Sequence, residues 1–112
     1  MRWKELTSAT ELNSLMEESF QHPVAIFKHS TRCSISSMAK ARLEREWNIP
    51  EEKLPVYYLD LLKYRVVSDA ISTTTGVEHE SPQLLIIKDG KSVFDASHNA
   101  VTAKGVDAFV TT

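Results

Sequence analysis

Cys33 is the one cysteine in a chain of 112 residues, and its neighbours determine what chemistry it could do. A lone cysteine in a domain this small is commonly a small buried hydrophobe. The stretch Ser30-Thr31-Arg32-Cys33-Ser34-Ile35-Ser36 is too polar for that role and points to an accessible thiol. The thiolate is the nucleophilic form. At the start of a helix, unpaired backbone N–H groups and the positive end of the helix dipole both favour it. Arg32 adds a nearby positive charge. A dithiol redox site would carry a second cysteine at position 36, where this chain has Ser36. One helical turn on from Cys33, that hydroxyl is placed to donate a hydrogen bond to the sulfur. It cannot resolve a mixed disulfide, so any disulfide on Cys33 must be cleared by a thiol from another molecule. Thr31, Arg32, Ser34 and Ser36 are therefore expected to support Cys33 as the nucleophile.

Ser81-Pro82 is the second landmark. It precedes an apolar run and is a candidate for a cis peptide bond, which occurs mainly at X-Pro in tight turns. Such a bond leaves the preceding carbonyl and amide free to hold an extended thiol substrate as a strand would. His98 lies in a loop that should return toward Cys33, and is a candidate for binding a substrate carboxylate. Lys28 and Lys40 would add positive potential near the thiol, although lysines are mostly solvated. His79 reads as a loop residue, and Trp3 and Trp47 as packing residues. The four histidines show no ligand spacing, and one cysteine cannot build a structural zinc site. No metal or resident cofactor is expected.

These residues need elements to position them. Ser8 and Glu11 have the spacing of a capping box. Leu12, Leu15, Met16 and Phe20 recur at helical spacing until Pro23 stops the helix. Val24 to Lys28 reads as a buried strand. A second helix runs from Cys33 or Ser34 to Trp47, with Ile35, Met38, Ala39, Leu43 and Trp47 as its apolar stripe. Val56 to Asp60 is the next strand. Val66, Val67, Ala70, Ile71 and Thr74 mark a third helix, with Gly76 at the left-handed position past its end. Gln83 to Lys88 and Lys91 to Asp95 flank Asp89-Gly90, the strongest local hairpin signal. A last helix begins near Thr102. Val101 and Val106 would staple it, with Val106, Phe109 and Val110 facing inward. The order α-β-α-β-α-β-β-α predicts an α/β fold: a mixed four-stranded sheet, its first two strands parallel, with helices on both faces. Cys33 then sits at the carboxyl end of a strand, where open α/β sheets bind ligands.

Composition limits the alternatives. With 42% hydrophobic and 25% charged residues, residues 1–112 read as one ordinary globular domain. A net charge of -2 argues against nucleic acid as a partner, because phosphate binding needs a basic face. The opening MRWKELTSATEL has no apolar core like a secretory signal. No run of about 18 apolar residues predicts a membrane span. A cytoplasmic location is expected.

The order of elements, with Cys33 at a helix start and Pro82 before the hairpin, resembles the thioredoxin superfamily. Within it, Phe27-Lys-His-Ser-Thr-Arg-Cys-Ser-Ile-Ser-Ser-Met38, His79-Glu-Ser-Pro-Gln83 and Ala96-Ser-His98 resemble the YtxJ family of monothiol bacilliredoxins, over nearly the whole chain. The resemblance implies bacillithiol-linked redox chemistry, in which bacillithiol is removed from mixed disulfides on client proteins. It matches Cys33 to the family's nucleophile and Pro82 to the superfamily's cis-proline. Where the family commonly has Pro after the cysteine, this chain has Ser34. Expected partners are S-thiolated client proteins and a low-molecular-weight thiol, bacillithiol or similar, as co-substrate. The alternative is a non-catalytic thioredoxin-like binding or redox-sensing module.

Overall fold

The computed structural model describes residues 1–109. The elements run β1 (Trp3–Glu5), α1 (Ala9–Glu18), β2 (Val24–His29), α2 (Ser34–Glu46), β3 (Val56–Asp60), α3 (Arg65–Thr75), β4 (Gln83–Lys88) and β5 (Lys91–Ser97). Two 3₁₀ segments, His98–Ala100 and Lys104–Phe109, follow. The sheet order is β1-β3-β2-β4-β5, with β1, β3 and β2 parallel and β2, β4 and β5 antiparallel.

Two expectations need correction. The sheet has five strands, not four. β1 is three residues long, too short for an alternating pattern, and exists because Trp3, Lys4 and Glu5 pair with Val56, Tyr57 and Tyr58 of β3. The last helix is 3₁₀ rather than α. It spans only six residues and contains Gly105, a poor helix former. Its start is as expected: Thr102 Oγ1 accepts the Gly105 N–H at 3.1 Å, and Val101 and Val106 are buried in one cluster. Val110 lies outside the described residues.

α1 starts at Ser8, whose hydroxyl accepts the Glu11 N–H at 3.1 Å. Glu11 does not close the capping box on Ser8. Its carboxylate takes the Thr7 N–H at 2.7 Å, one residue further back. α3 ends at Gly76, with the left-handed φ of 74° that the sequence predicted. Asp89 and Gly90 have φ of 53° and 76°, so both central residues of the hairpin turn are left-handed, the geometry that suits twisted strands.

The sheet separates two apolar layers. Leu12 and Leu15 of α1 and Val67 and Ile71 of α3 pack on Val24, Ile26, Leu59, Leu85 and Ile87. Ala39 and Leu43 of α2, with Val101 and Val106, pack on Ala25, Phe27, Leu84 and Ile86. The buried stripe of α2 is Ser36, Ala39 and Leu43, whereas Ile35 and Met38 are 51% and 65% exposed. On α3, Val66 is exposed while Ser68 is buried. The expected stripes hold at Ala39, Leu43, Val67 and Ile71 and fail at one edge of each helix, where Ser36 and Ser68 are buried and Ile35, Met38 and Val66 are exposed.

Candidate functional site

β2 delivers the chain to one end of the sheet, and Ser30 to Arg32 turn it into α2. Cys33 is the N-cap residue of α2, with extended backbone (φ -107°, ψ 118°) and a partly exposed side chain. Its N–H donates to the Ser30 carbonyl at 3.1 Å, and its carbonyl accepts the Ser37 N–H at 3.0 Å. The sulfur thus stands where first-turn amides and the helix dipole favour negative charge. Thr31, Arg32 and Ser34 are exposed around it. Thr31 and Arg32 line an open groove with Asp60, Leu62 and Lys63, about 400 Å³ in volume.

Ser36 is fully buried, and its hydroxyl is engaged away from solvent. It lies 2.6 Å from His29 Nδ1 and accepts the Ser30 N–H at 3.1 Å. His29 is 5% exposed. Its ring stacks on Phe27 at 5.8 Å and tilts against Tyr58 at 5.6 Å. Burial, and then the positive charge of Lys40, hold the imidazole below its ordinary range. Nothing in the sequence around His29 assigns it a role. The available signal was its place two residues beyond Phe27, on the same face of β2.

Lys28 departs from the expectation of a solvated cation. It is fully buried on the opposite face of β2, and its Nζ has no hydrogen-bond partner among the described residues. Burial pushes it down to about 8, against the opposing pull of Asp69 and Glu80. Lys40 points elsewhere as well. It lies over the Trp3 and Tyr58 rings and pairs with Glu44 at 2.8 Å. Trp3 and Trp47 pack against the α2-side core.

The Ser81–Pro82 bond is cis. Gln83, the next residue, pairs with Lys28 of β2 and Ser97 of β5. Pro82 therefore shares the sheet end that carries the Cys33 turn. The His98 N–H donates to the Pro82 carbonyl at 3.0 Å, so these two predicted binding residues meet. His98 has a left-handed φ of 55°, uncommon outside glycine although histidine is among the side chains that adopt it most readily. Its ring is exposed, with Nε2 3.5 Å from Glu80 Oε1. Arg42 of α2 holds this turn through the Val101 carbonyl at 2.9 and 3.1 Å and the His98 carbonyl at 3.4 Å. His79 lies 3.4 Å from the Ser68 hydroxyl.

The family model described as monothiol bacilliredoxin BrxC matches residues 4–106. The chain belongs to that family. Solved structures agree on the architecture. One described as having a thioredoxin fold superposes with a TM-score of 0.81 at 28% identity, covering 95% of this chain and 91% of that one. Thioredoxin from Malassezia sympodialis gives 0.74 at 14% identity, covering 97% and 88%. Thioredoxin from Fasciola hepatica gives 0.71 at 16%, covering 96% and 95%.

In this bacilliredoxin-family chain the chemistry open to Cys33 is that of a single thiol. The described residues hold one cysteine, and position 36 presents a hydroxyl already bound to His29 and Ser30. No group of three or more His, Cys, Asp and Glu side chains among the described residues could hold a metal ion. No helix among them is long and apolar enough to cross a membrane.

Proposed function

We propose that this protein removes bacillithiol, or a similar low-molecular-weight thiol, from mixed disulfides on client proteins. The carrying observation is Cys33 itself: a partly exposed thiol at the N-cap of α2, with serine in the second-thiol position. The Cys33 thiolate attacks the small-thiol sulfur of the client disulfide. A Cys33–small-thiol disulfide forms, the client–sulfur bond breaks, and the client leaves as a thiolate that takes a proton from solvent. A second small thiol then attacks that sulfur and departs with it as the symmetrical disulfide, restoring Cys33. No electrons are gained or lost overall; the disulfide moves from client to small thiol.

Arg32, Thr31 and Ser34 border the sulfur, and Ser81, Pro82 and His98 form the substrate-facing edge in this reading. Exposed Ile35, two residues past Cys33, supports contact with a client surface. A reducing cytoplasm suits such a thiol. The test is to incubate reduced protein with bacillithiol disulfide and, separately, glutathione disulfide, and to weigh the adducts. A mass increase of one bacillithiol on wild type and none on Cys33→Ser is expected. Release of bacillithiol from a thiolated client by Cys33→Ser at the wild-type rate would falsify the mechanism.

A further inference from the structure

We infer that His29 is a positioning residue for Cys33 and acts through the buried hydroxyl of Ser36. The inference rests on the exchange reading above, and supplies it with a second residue on the sheet itself. Four groups form one connected chain. His29 Nδ1 meets Ser36 Oγ at 2.6 Å. The same oxygen accepts the Ser30 N–H at 3.1 Å. The Ser30 carbonyl accepts the Cys33 N–H at 3.1 Å. The turn that carries the sulfur is thereby tied to the first turn of α2, and the tie is anchored in the sheet.

Hydrogen counting assigns the directions. Ser36 Oγ accepts from Ser30 and keeps one hydrogen to give. A neutral ring with its hydrogen on Nε2 takes that hydrogen at Nδ1. Burial favours the neutral ring. The charged and titratable groups around it are Lys40 and Glu44 of α2 and Asp60 and Tyr58 of β3; its own strand contributes only the Phe27 ring. A buried polar ring this well enclosed costs stability unless its nitrogens are satisfied. The Ser36 bond meets that need at Nδ1, and makes the ring and the hydroxyl a unit.

The experiment is the pH profile of iodoacetamide alkylation of Cys33 in wild type, His29→Phe, His29→Asn, Ser36→Ala and the double variant His29→Phe/Ser36→Ala. This readout needs neither client nor small thiol, so it stands or falls apart from the exchange assay. His29→Phe is expected to slow alkylation at neutral pH by about tenfold, the scale of one buried hydrogen bond, and to move the profile to higher pH. Ser36→Ala should match it, and the double variant should be no slower than either single one. His29→Asn, whose amide reaches the position of Nδ1, should recover most of the rate. A wild-type profile in both Ser36→Ala and His29→Phe overturns the inference, as do losses that multiply in the double variant. If His29→Phe does not fold, by circular dichroism, the Ser36→Ala profile decides alone.

Discussion

Lys28 and Gln83 stand opposite each other in the antiparallel β2–β4 ladder, and each ends in a buried polar atom without a hydrogen-bond partner among the described residues, Lys28 Nζ and Gln83 Oε1. The glutamine spends its Nε2 on the Glu78 carbonyl at 3.0 Å. The lysine is a positive charge held out of water.

Lys28→Met should therefore stabilise the protein. Lys28 falls from its ordinary 10.5 to about 8 through burial, which corresponds to a penalty of roughly 3 kcal/mol. Below pH 8 both folded and unfolded chains carry the charge, and the penalty is complete. Between 8 and 10.5 the unfolded chain binds the proton more tightly, so wild-type stability rises with pH. Urea unfolding at pH 7 is expected to favour Lys28→Met by about 1–3 kcal/mol, with the gap narrowing by pH 9.5. A variant less stable than wild type at pH 7 would contradict this.

Acid should weaken the fold through two histidines. Burial holds His29 and His79 below their ordinary 6.5; Lys40 adds to this at His29, and Lys28 at His79. As pH falls through that value the unfolded chain takes up protons that the folded chain resists, so stability drops. Unfolding free energy should decline from pH 7 to pH 5, and less steeply in His29→Asn and in His79→Asn. An equal slope in wild type and both variants would rule the histidines out.

Ser36→Cys should turn the site into a dithiol. Positions 33 and 36 are one helical turn apart, and mild oxidation is expected to remove two hydrogens within one chain, a loss of about 2 Da by mass. The reduced variant should be destabilised by about 1–3 kcal/mol, because His29 and the Ser30 N–H lose their hydroxyl partner. An oxidised variant that yields only intermolecular dimers would show that the thiols cannot meet.

Arg42 should control the turn that carries His98. Arg42→Ala removes the guanidinium bonds to the His98 and Val101 carbonyls, at about 1.5–3 kcal/mol in thermal unfolding. Arg42→Lys should recover only part, since a point charge cannot reproduce the planar fork. Faster hydrogen exchange at the His98 and Val101 amides would accompany the loss.

His98 itself has a left-handed backbone that glycine adopts freely. His98→Gly should keep or slightly raise the melting temperature while slowing removal of a carboxylate-bearing small thiol. An unchanged rate with both bacillithiol and a thiol lacking carboxylates would remove His98 from the binding edge.

The apolar runs at Val24 to Lys28, Val56 to Asp60 and Gln83 to Lys88, the Asp89-Gly90 turn and Gly76 were legible because short-range sterics and period determine them. β1 was not, because three residues carry no period and pairing with β3 creates the strand. The edges of the α2 and α3 faces, at Ile35, Met38 and Val66, differ because hydrophobicity cannot say which residue a neighbouring layer will cover. Ser36 is buried in place of Ile35 since the sheet offers His29 at that point. The same cause hid Lys28, which is buried by its long apolar stem even though its charge argues for water.

By itself the sequence determined a lone thiol at a strand-to-helix junction, the serine in place of a second thiol, and the turns that shape the sheet, all set by residues near one another along the chain. Tertiary structure alone decided which polar groups face one another: His29 with Ser36, Lys28 with Gln83, His98 with Pro82. Burial depends on what packs from distant parts of the chain, and only burial makes a hydroxyl into an anchor or a lysine into a strained charge.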